Sequence, residues 1–210
     1  MDLSDLRRDF GKFGLDLNKL PGNPADLLER WLTEAEKAGI GEFNAMVLST
    51  VSRESRPSSR IVLLKEVTRN GSLIFYTNYR SRKGKELMMN RFAAVNFFWR
   101  ELERQIRIEG EIKKTSREIS RAYFKSRPLE SQLSALISPQ SEPIKDLASL
   151  RQEAERIFVS GAKIDLPDHW GGYELTPDCF EFWQGGKNRL HDRIRYTRQG
   201  LLWHTDRLAP

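Results

Sequence analysis

Cysteine is almost missing. Cys179 stands alone in 210 residues, so no disulfide framework and no cysteine-based zinc cluster is expected. Histidine is nearly as scarce. His169, His191 and His204 lie far apart, without H-x-x-x-H or H-E-x-x-H spacing, and no metal site is expected from them. No run approaches the roughly 18 apolar residues of a membrane span. The first ten residues are charged where a secretory leader would be apolar. A cytoplasmic protein with no membrane partner is the expectation. Absent too are G-x-G-x-x-G after a strand, G-x-x-x-x-G-K-[ST] and the G-x-S-x-G elbow. That removes the common signatures of dinucleotide, P-loop and α/β-hydrolase chemistry. There is no internal repeat and no low-complexity tract.

What is present is enough for a core. Hydrophobic residues make up 39% of the chain, with 11 Phe, 5 Trp and 5 Tyr, against 30% charged. No long polar linker divides it. Residues 1–22, broken by Gly11, Gly14 and Pro21-Gly22, read as a mobile arm, and residues 23–210 as one domain. Lys plus Arg is 35 and Asp plus Glu is 29, a formal +6 that suits an anionic partner. The cations gather at strand and helix ends, with no basic tail or RNA-binding aromatic motif, so no nucleic acid is expected.

The first helix is expected over 24–38, capped by Asn23, with Pro24 in its first turn and Gly39 as its stop. Strands follow at 45–51 and 59–67. In the second, Ile61-Val62-Leu63-Leu64 is apolar on both faces, as in a central strand. Asn70-Gly71 predicts a two-residue hairpin into a strand at 72–78. A helix over 81–90 precedes strands at 93–99 and 104–113, the latter with Ile106, Ile108 and Ile112 on one face. Helices are expected at 116–125, 129–137 and 146–159, then strands at 179–184, 193–197 and 201–206. Antiparallel hairpins with helices between them predict an α+β protein built on a β-barrel.

Four stretches carry candidate chemistry. Arg60 and Lys65 end an apolar strand, either as cations leaving the core or as anion ligands. Ser81, Arg82 and Lys83 open a helix, where free N–H groups, a dipole end and two cations suit a phosphate. An ordinary capped helix start reads the same. Tyr123 and Arg127, four apart on a helix, precede Ser131 and suit a second phosphate; they also fit a polar helix face. Trp183 comes before Arg189, His191 and Arg193, whose alternation predicts one shared strand face, functional or merely solvated. Two phosphate-sized basic sites, an aromatic wall and a histidine suit a phosphorylated aromatic cofactor beside a phosphorylated aromatic substrate.

At these residues the chain resembles the pyridoxine 5′-phosphate oxidase family. The strings are R-I-V-L-L-K at 60–65, F-Y-T-N at 75–78, S-R-K at 81–83, E-R-Q at 103–105, Y-F-x-S-R-P at 123–128, Q-S at 140–141, F-W-Q-G at 182–185, R-L-H-D-R at 189–193 and D-R-L-A-P at 206–210. They run in the family's order over residues 27–210. The resemblance implies an antiparallel, Greek-key type split β-barrel with surrounding helices, binding FMN at a homodimer interface. It implies oxidation of pyridoxine or pyridoxamine 5′-phosphate to pyridoxal 5′-phosphate. Hydride would pass to flavin N5 and oxygen would reoxidise the flavin, giving hydrogen peroxide, and ammonia from the amine. Implied FMN contacts are Arg60, Ile61, Val62, Leu63, Leu64, Lys65, Tyr76, Thr77, Arg82, Lys83, Gln105, Gln140, Ser141, Trp183 and Arg193. Implied substrate contacts are Arg7, Lys65, Tyr123, Arg127, Ser131, Arg189 and His191, with Arg189 and His191 at the reacting ring. The family's N-terminal arm often reads Arg-Arg-x-Tyr. Here Phe10 keeps the ring and lacks the hydroxyl. A different split-barrel flavin reductase and a non-catalytic flavin or pyridoxal phosphate carrier are the rival readings.

Overall fold

Nine strands form among the described residues, period-two alternation marking β1, β5, β6 and β8 most clearly, and every pairing between them is antiparallel. The computed structural model describes residues 1–5, 9–11 and 14–210; Arg7 lies outside them. The strands are β1 Ala45–Val51, β2 Pro57–Leu63, β3 Glu66–Val67, β4 Leu73–Asn78, β5 Phe92–Trp99, β6 Arg104–Lys114, β7 Trp170–Gln184, β8 Asp192–Gln199 and β9 Leu202–Arg207. The helices are α1 Pro24–Lys37, α2 Arg82–Met89, α3 Arg117–Ser126, α4 Leu129–Ile137 and α5 Leu147–Val159. None of the described helices is long and apolar enough to cross a membrane.

The sheet path is β2-β1-β5-β6-β7-β4-β3. Its two end strands, β2 and β3, are separated in the chain only by Leu64 and Lys65. The sheet must therefore curl until its ends meet. At the seam the Leu64 N–H donates to the Asn44 carbonyl at 2.9 Å, while the Lys65 N–H donates to the Ile74 carbonyl at 2.8 Å. The Asn44 side chain in turn donates to the Leu64 carbonyl at 2.8 Å. The single strand expected over 59–67 is thus two strands hinged at 64–65. Nor is it central: β2 ends the path, and Ile61 is 69% exposed. Its outward apolar residues line a cavity described below.

The longest strand, β7, forks the sheet. One edge pairs with β6 from Tyr173 to Gln184; the other pairs with β4 over Trp170–Leu175 and with β8 over Cys179–Gln184. Pro177 has no N–H to give a ladder and sits at the fork, where the β6–β7 register slips. Gly171-Gly172 and Pro177 look like strand breakers, which is why a strand only from Cys179 was expected. Pairing overrides that propensity: Gly171 and Gly172 are held by β4 and Pro177 by β6. The expected two-residue turn at Asn70-Gly71 has three residues. Thr68 pairs with Ser72, the Gly71 N–H donates to the Thr68 carbonyl at 2.8 Å, and Gly71 has φ +78°.

Helix α1 starts as expected, with the Asn23 side chain accepting from the Ala25 N–H. It buries Leu27, Leu28, Trp31, Leu32 and Ala35 against the barrel. Burial of this kind is worth roughly 1.5–3 kcal/mol per large side chain. Trp31 meets Phe182 edge-on at 5.3 Å, and the Arg104 guanidinium lies 4.4 Å over Trp31 while pairing with Glu34. A smaller core of Phe124, Ala135, Leu166 and Trp170 ties α3 and α4 to the start of β7. The result is an α+β split barrel.

A β-carbon on Gly110 of β6 would stand 2.2 Å from the Thr176 carbonyl oxygen, beside the fork. Backbone cannot yield there as a side chain would. Gly110→Ala is expected to lower stability by about 3 kcal/mol, read from urea denaturation midpoints. A change below about 0.5 kcal/mol would show that the fork can open.

Candidate functional site

A cavity of about 450 Å³ opens where the seam of the barrel meets α2, α3 and α4. Ile61, Val62, Leu63, Lys65, Tyr76, Thr77, Lys83, Tyr123, Arg127, Ser131 and Gln140 line it, all of them residues expected at a site. Pro128 and Trp170 line it too and were not anticipated. Among the described residues the lining holds three cations, Lys65, Lys83 and Arg127, and no carboxylate.

Two of these cations are held at a cost. Lys83 is only 9% exposed, and its ammonium donates to Thr77 Oγ1 at 3.2 Å, Gln140 Oε1 at 3.2 Å and Ser81 Oγ at 3.4 Å. All three acceptors are neutral. Burial, helped by the nearby Arg60 charge, brings its pKa down to about 8. Arg127 follows α3 as its C-cap residue in extended backbone, not on the helix face shared with Tyr123 as expected. Its Nη1 is buried without a hydrogen-bond partner, and its guanidinium lies 4.6 Å from the Trp170 ring. Burial also lowers the Arg127 pKa, against a smaller opposing effect of Tyr123. An anion in the cavity would satisfy both groups.

The walls are aromatic. Tyr76 and Tyr123 stack at 3.8 Å, and both rings run nearly parallel to Trp170. Burial, with smaller repulsion from Glu66, pushes the Tyr76 phenol up to about 12, so it stays a neutral donor. Ser131 falls in the first turn of α4, behind Pro128.

Arg60 and Arg82 stand behind this cavity on a buried carboxylate. Glu86 Oε2 accepts from Thr50, from Ser58 Oγ at 2.7 Å and from Arg60 Nη2 at 3.2 Å; Oε1 accepts from Arg82 Nε at 2.9 Å. Burial alone would raise the Glu86 pKa, but these hydrogen bonds outweigh it and hold it at about 2. Glu86 was missed by sequence reasoning. Its spacing of four from Arg82 on one helix was the available signal.

The remaining expected residues gather elsewhere. Gln105, Trp183 and Arg193 lie side by side across β6, β7 and β8. Arg193 is engaged by Glu181 at 2.8 Å and by the Ala209 carbonyl at 2.9 Å. The His191 ring is 4.7 Å from Trp183, and Phe10 meets both rings edge-on at 5.6 Å. The Gly11 N–H donates to Glu103 at 2.7 Å, holding the arm there. The Gly186 N–H donates to His191 Nδ1 at 3.1 Å, leaving Nε2 as the nitrogen that can donate. Arg189 and His191 do not share a strand face with Arg193, because β8 begins only at Asp192. Asn188 and Arg189 instead take left-handed backbone, φ 54° and 62°, in a tight turn. Leu64 is buried core, and Ser141, with φ 73°, follows Gln140 outside the cavity lining.

Comparison with known proteins agrees with this architecture. A family model described as "Pyridoxamine 5'-phosphate oxidase" matches residues 32–161. A second, "Pyridoxine 5'-phosphate oxidase C-terminal dimerisation region", matches residues 170–210. A pyridoxine/pyridoxamine 5′-phosphate oxidase of Bacteroides thetaiotaomicron is 46% identical, covering 100% of this chain and 99% of its own. One from Methylibium petroleiphilum is 47% identical over 100% and 99%. A crystal structure of PhzG from Burkholderia lata, in complex with tetrahydrophenazine-1-carboxylic acid, aligns with a TM-score of 0.90. It is 31% identical, covering 95% of this chain and 99% of that one. An FMN binding protein from Nostoc punctiforme shares the fold, with a TM-score of 0.74 at 15% identity over 90% and 98%.

The state of Lys83 can be read from stability. Its folded pKa of about 8 lies below its ordinary value of 10.5, so between these pH values the unfolded chain binds more protons. Stability is therefore expected to rise with pH across that window, by roughly 3 kcal/mol relative to Lys83→Met. Below it the cost is fully present. Denaturant unfolding of both proteins from pH 7 to 10.5 checks this, and a difference that does not change with pH would refute it.

Proposed function

The chain belongs to the pyridoxine/pyridoxamine 5′-phosphate oxidase family, and from that premise we propose that it is an FMN-dependent oxidase producing pyridoxal 5′-phosphate. Its substrates in this reading are pyridoxine 5′-phosphate and pyridoxamine 5′-phosphate. The observation that carries it is the cavity with three cations, no carboxylate and a buried, unpartnered Arg127 Nη1. Such a site favours a phosphorylated ligand over a neutral one. The aromatic wall suits flat rings.

The residues divide into two sets. Lys83, Thr77 and Gln140, with Arg82 nearby, would hold the FMN phosphate. Lys65, Tyr123, Arg127 and Ser131 would hold the substrate phosphate. Bound FMN would supply the redox chemistry, taking a hydride from the substrate and returning the electrons to dioxygen as hydrogen peroxide. The chain's own work is to bind, to orient and to exclude water. Gln105, Trp183, Arg189, His191 and Arg193 lie outside the cavity lining, and we assign them to the cavity of a second subunit in a homodimer. The match of residues 170–210 to a dimerisation region supports that arrangement. Arg189 would pack on the pyridine ring. His191, with Nδ1 occupied by the Gly186 N–H, would orient substrate through Nε2.

The deciding experiment is a visible spectrum of the FMN-loaded protein without oxygen, before and after pyridoxine 5′-phosphate. Bleaching of the flavin bands, reversed by air, is expected. Bands that stay oxidised with both the pyridoxine and pyridoxamine phosphates would sink the assignment. Arg127→Ala is expected to raise KM for either phosphate at least about tenfold. Its effect on kcat should be smaller, since phosphate binding is shared by ground and transition states. An unchanged KM would remove Arg127 from the substrate site.

A further inference from the structure

We infer that Glu86 is the positioning residue of the anion pocket. It holds Arg60 and Arg82 in place beside Lys83, which has no carboxylate partner of its own and is free to meet the cofactor phosphate. This rests on the reading that FMN binds here.

The geometry is a cross-brace. One carboxylate, 6% exposed, gathers donors from β1 (Thr50), β2 (Ser58 and Arg60) and the first turn of α2 (Arg82). Arg60 is in turn committed inward. Its Nη1 donates to the Leu48 carbonyl at 3.2 Å and to Thr50 Oγ1 at 2.5 Å, and its Nη2 donates to Ser58 Oγ at 2.5 Å. Arg60 is absent from the cavity lining that includes its neighbours Ile61, Val62 and Leu63. It acts behind the wall.

Charge explains why a carboxylate is needed. Arg60, Arg82 and Lys83 crowd one helix start, where like charges repel. The Arg82 charge adds to the cost of keeping Arg60 charged, and the Arg60 charge adds to that of Lys83. Glu86 neutralises the two arginines at close range. No salt bridge within 4 Å joins Lys83 to an acid among the described residues. Its partners Thr77, Ser81 and Gln140 aim it without cancelling its charge. The brace also pins α2 to β1 and β2, fixing the Ser81 cap and the first-turn N–H groups beside the cavity.

The test is FMN affinity of the full chain, measured by quenching of flavin fluorescence, alongside thermal unfolding of the FMN-free protein. Glu86→Gln keeps the size and removes the charge, and is expected to weaken FMN binding about tenfold. Glu86→Asp, which keeps the charge, should lose less. Ser58→Ala removes one donor only, should remain folded, and is expected to cost about threefold. Should Glu86→Gln fail to fold, the Ser58→Ala titration decides. A purely structural role would lower the unfolding temperature and leave affinity unchanged well below it. Unchanged binding overturns the inference. Tighter binding overturns it too, since charge repulsion between Glu86 and the phosphate would then outweigh positioning. Wild-type protein that binds no FMN would instead sink the cofactor reading.

Discussion

The fold depends on a two-residue seam. Leu64 and Lys65 join strands that lie at opposite ends of a seven-strand path. A flat sheet cannot satisfy that link, because adjacent strands are spaced about 4.8 Å apart and two residues span only about 7 Å. Curling is therefore compulsory, and it brings β2 beside β4. The cavity is the consequence. Lys65 stands at the seam itself, Ile61 to Leu63 lead into it, and Tyr76 and Thr77 face it from β4. A constraint on chain connectivity thus places a basic group and an aromatic wall at one mouth.

Around that mouth the protein keeps charge that folding alone would avoid. A buried lysine with neutral partners and a guanidinium nitrogen with none both destabilise the empty protein. Glu86 shows that the chain can compensate cations when it needs to, since it satisfies Arg60 and Arg82. The contrast separates structural cations from those kept for a ligand. Stability withheld at Lys83 and Arg127 becomes binding energy when an anion arrives.

The strained turn at Asn188-Arg189 follows the same logic in the second cluster. Two consecutive left-handed residues cost free energy, yet they set the approach to His191 beside Trp183 and Phe10. This cluster and the cavity lie on different branches of the fork in β7, with β8 on one and β4 on the other. Within one chain the cavity lacks the cluster's residues, which is the physical basis for expecting two subunits to share a site.

The sequence by itself determined every helix to within a residue or so and most strands, because hydrophobic period and capping chemistry are local signals. It also identified Lys65, Tyr76, Thr77, Lys83, Tyr123, Arg127, Ser131 and Gln140, which come from six separate segments and now line one cavity. Tertiary structure alone decided the rest. Glycines and a proline concealed the first half of β7, since it is pairing with β4 and β6 that holds it extended. Apolar residues on both faces of β2 signalled a central strand, whereas the second face serves the cavity. Trp170 and Glu86 gained their roles from contacts across the fold. Local pattern records which residues want to leave water, and only closure of the barrel settles what they meet when they do.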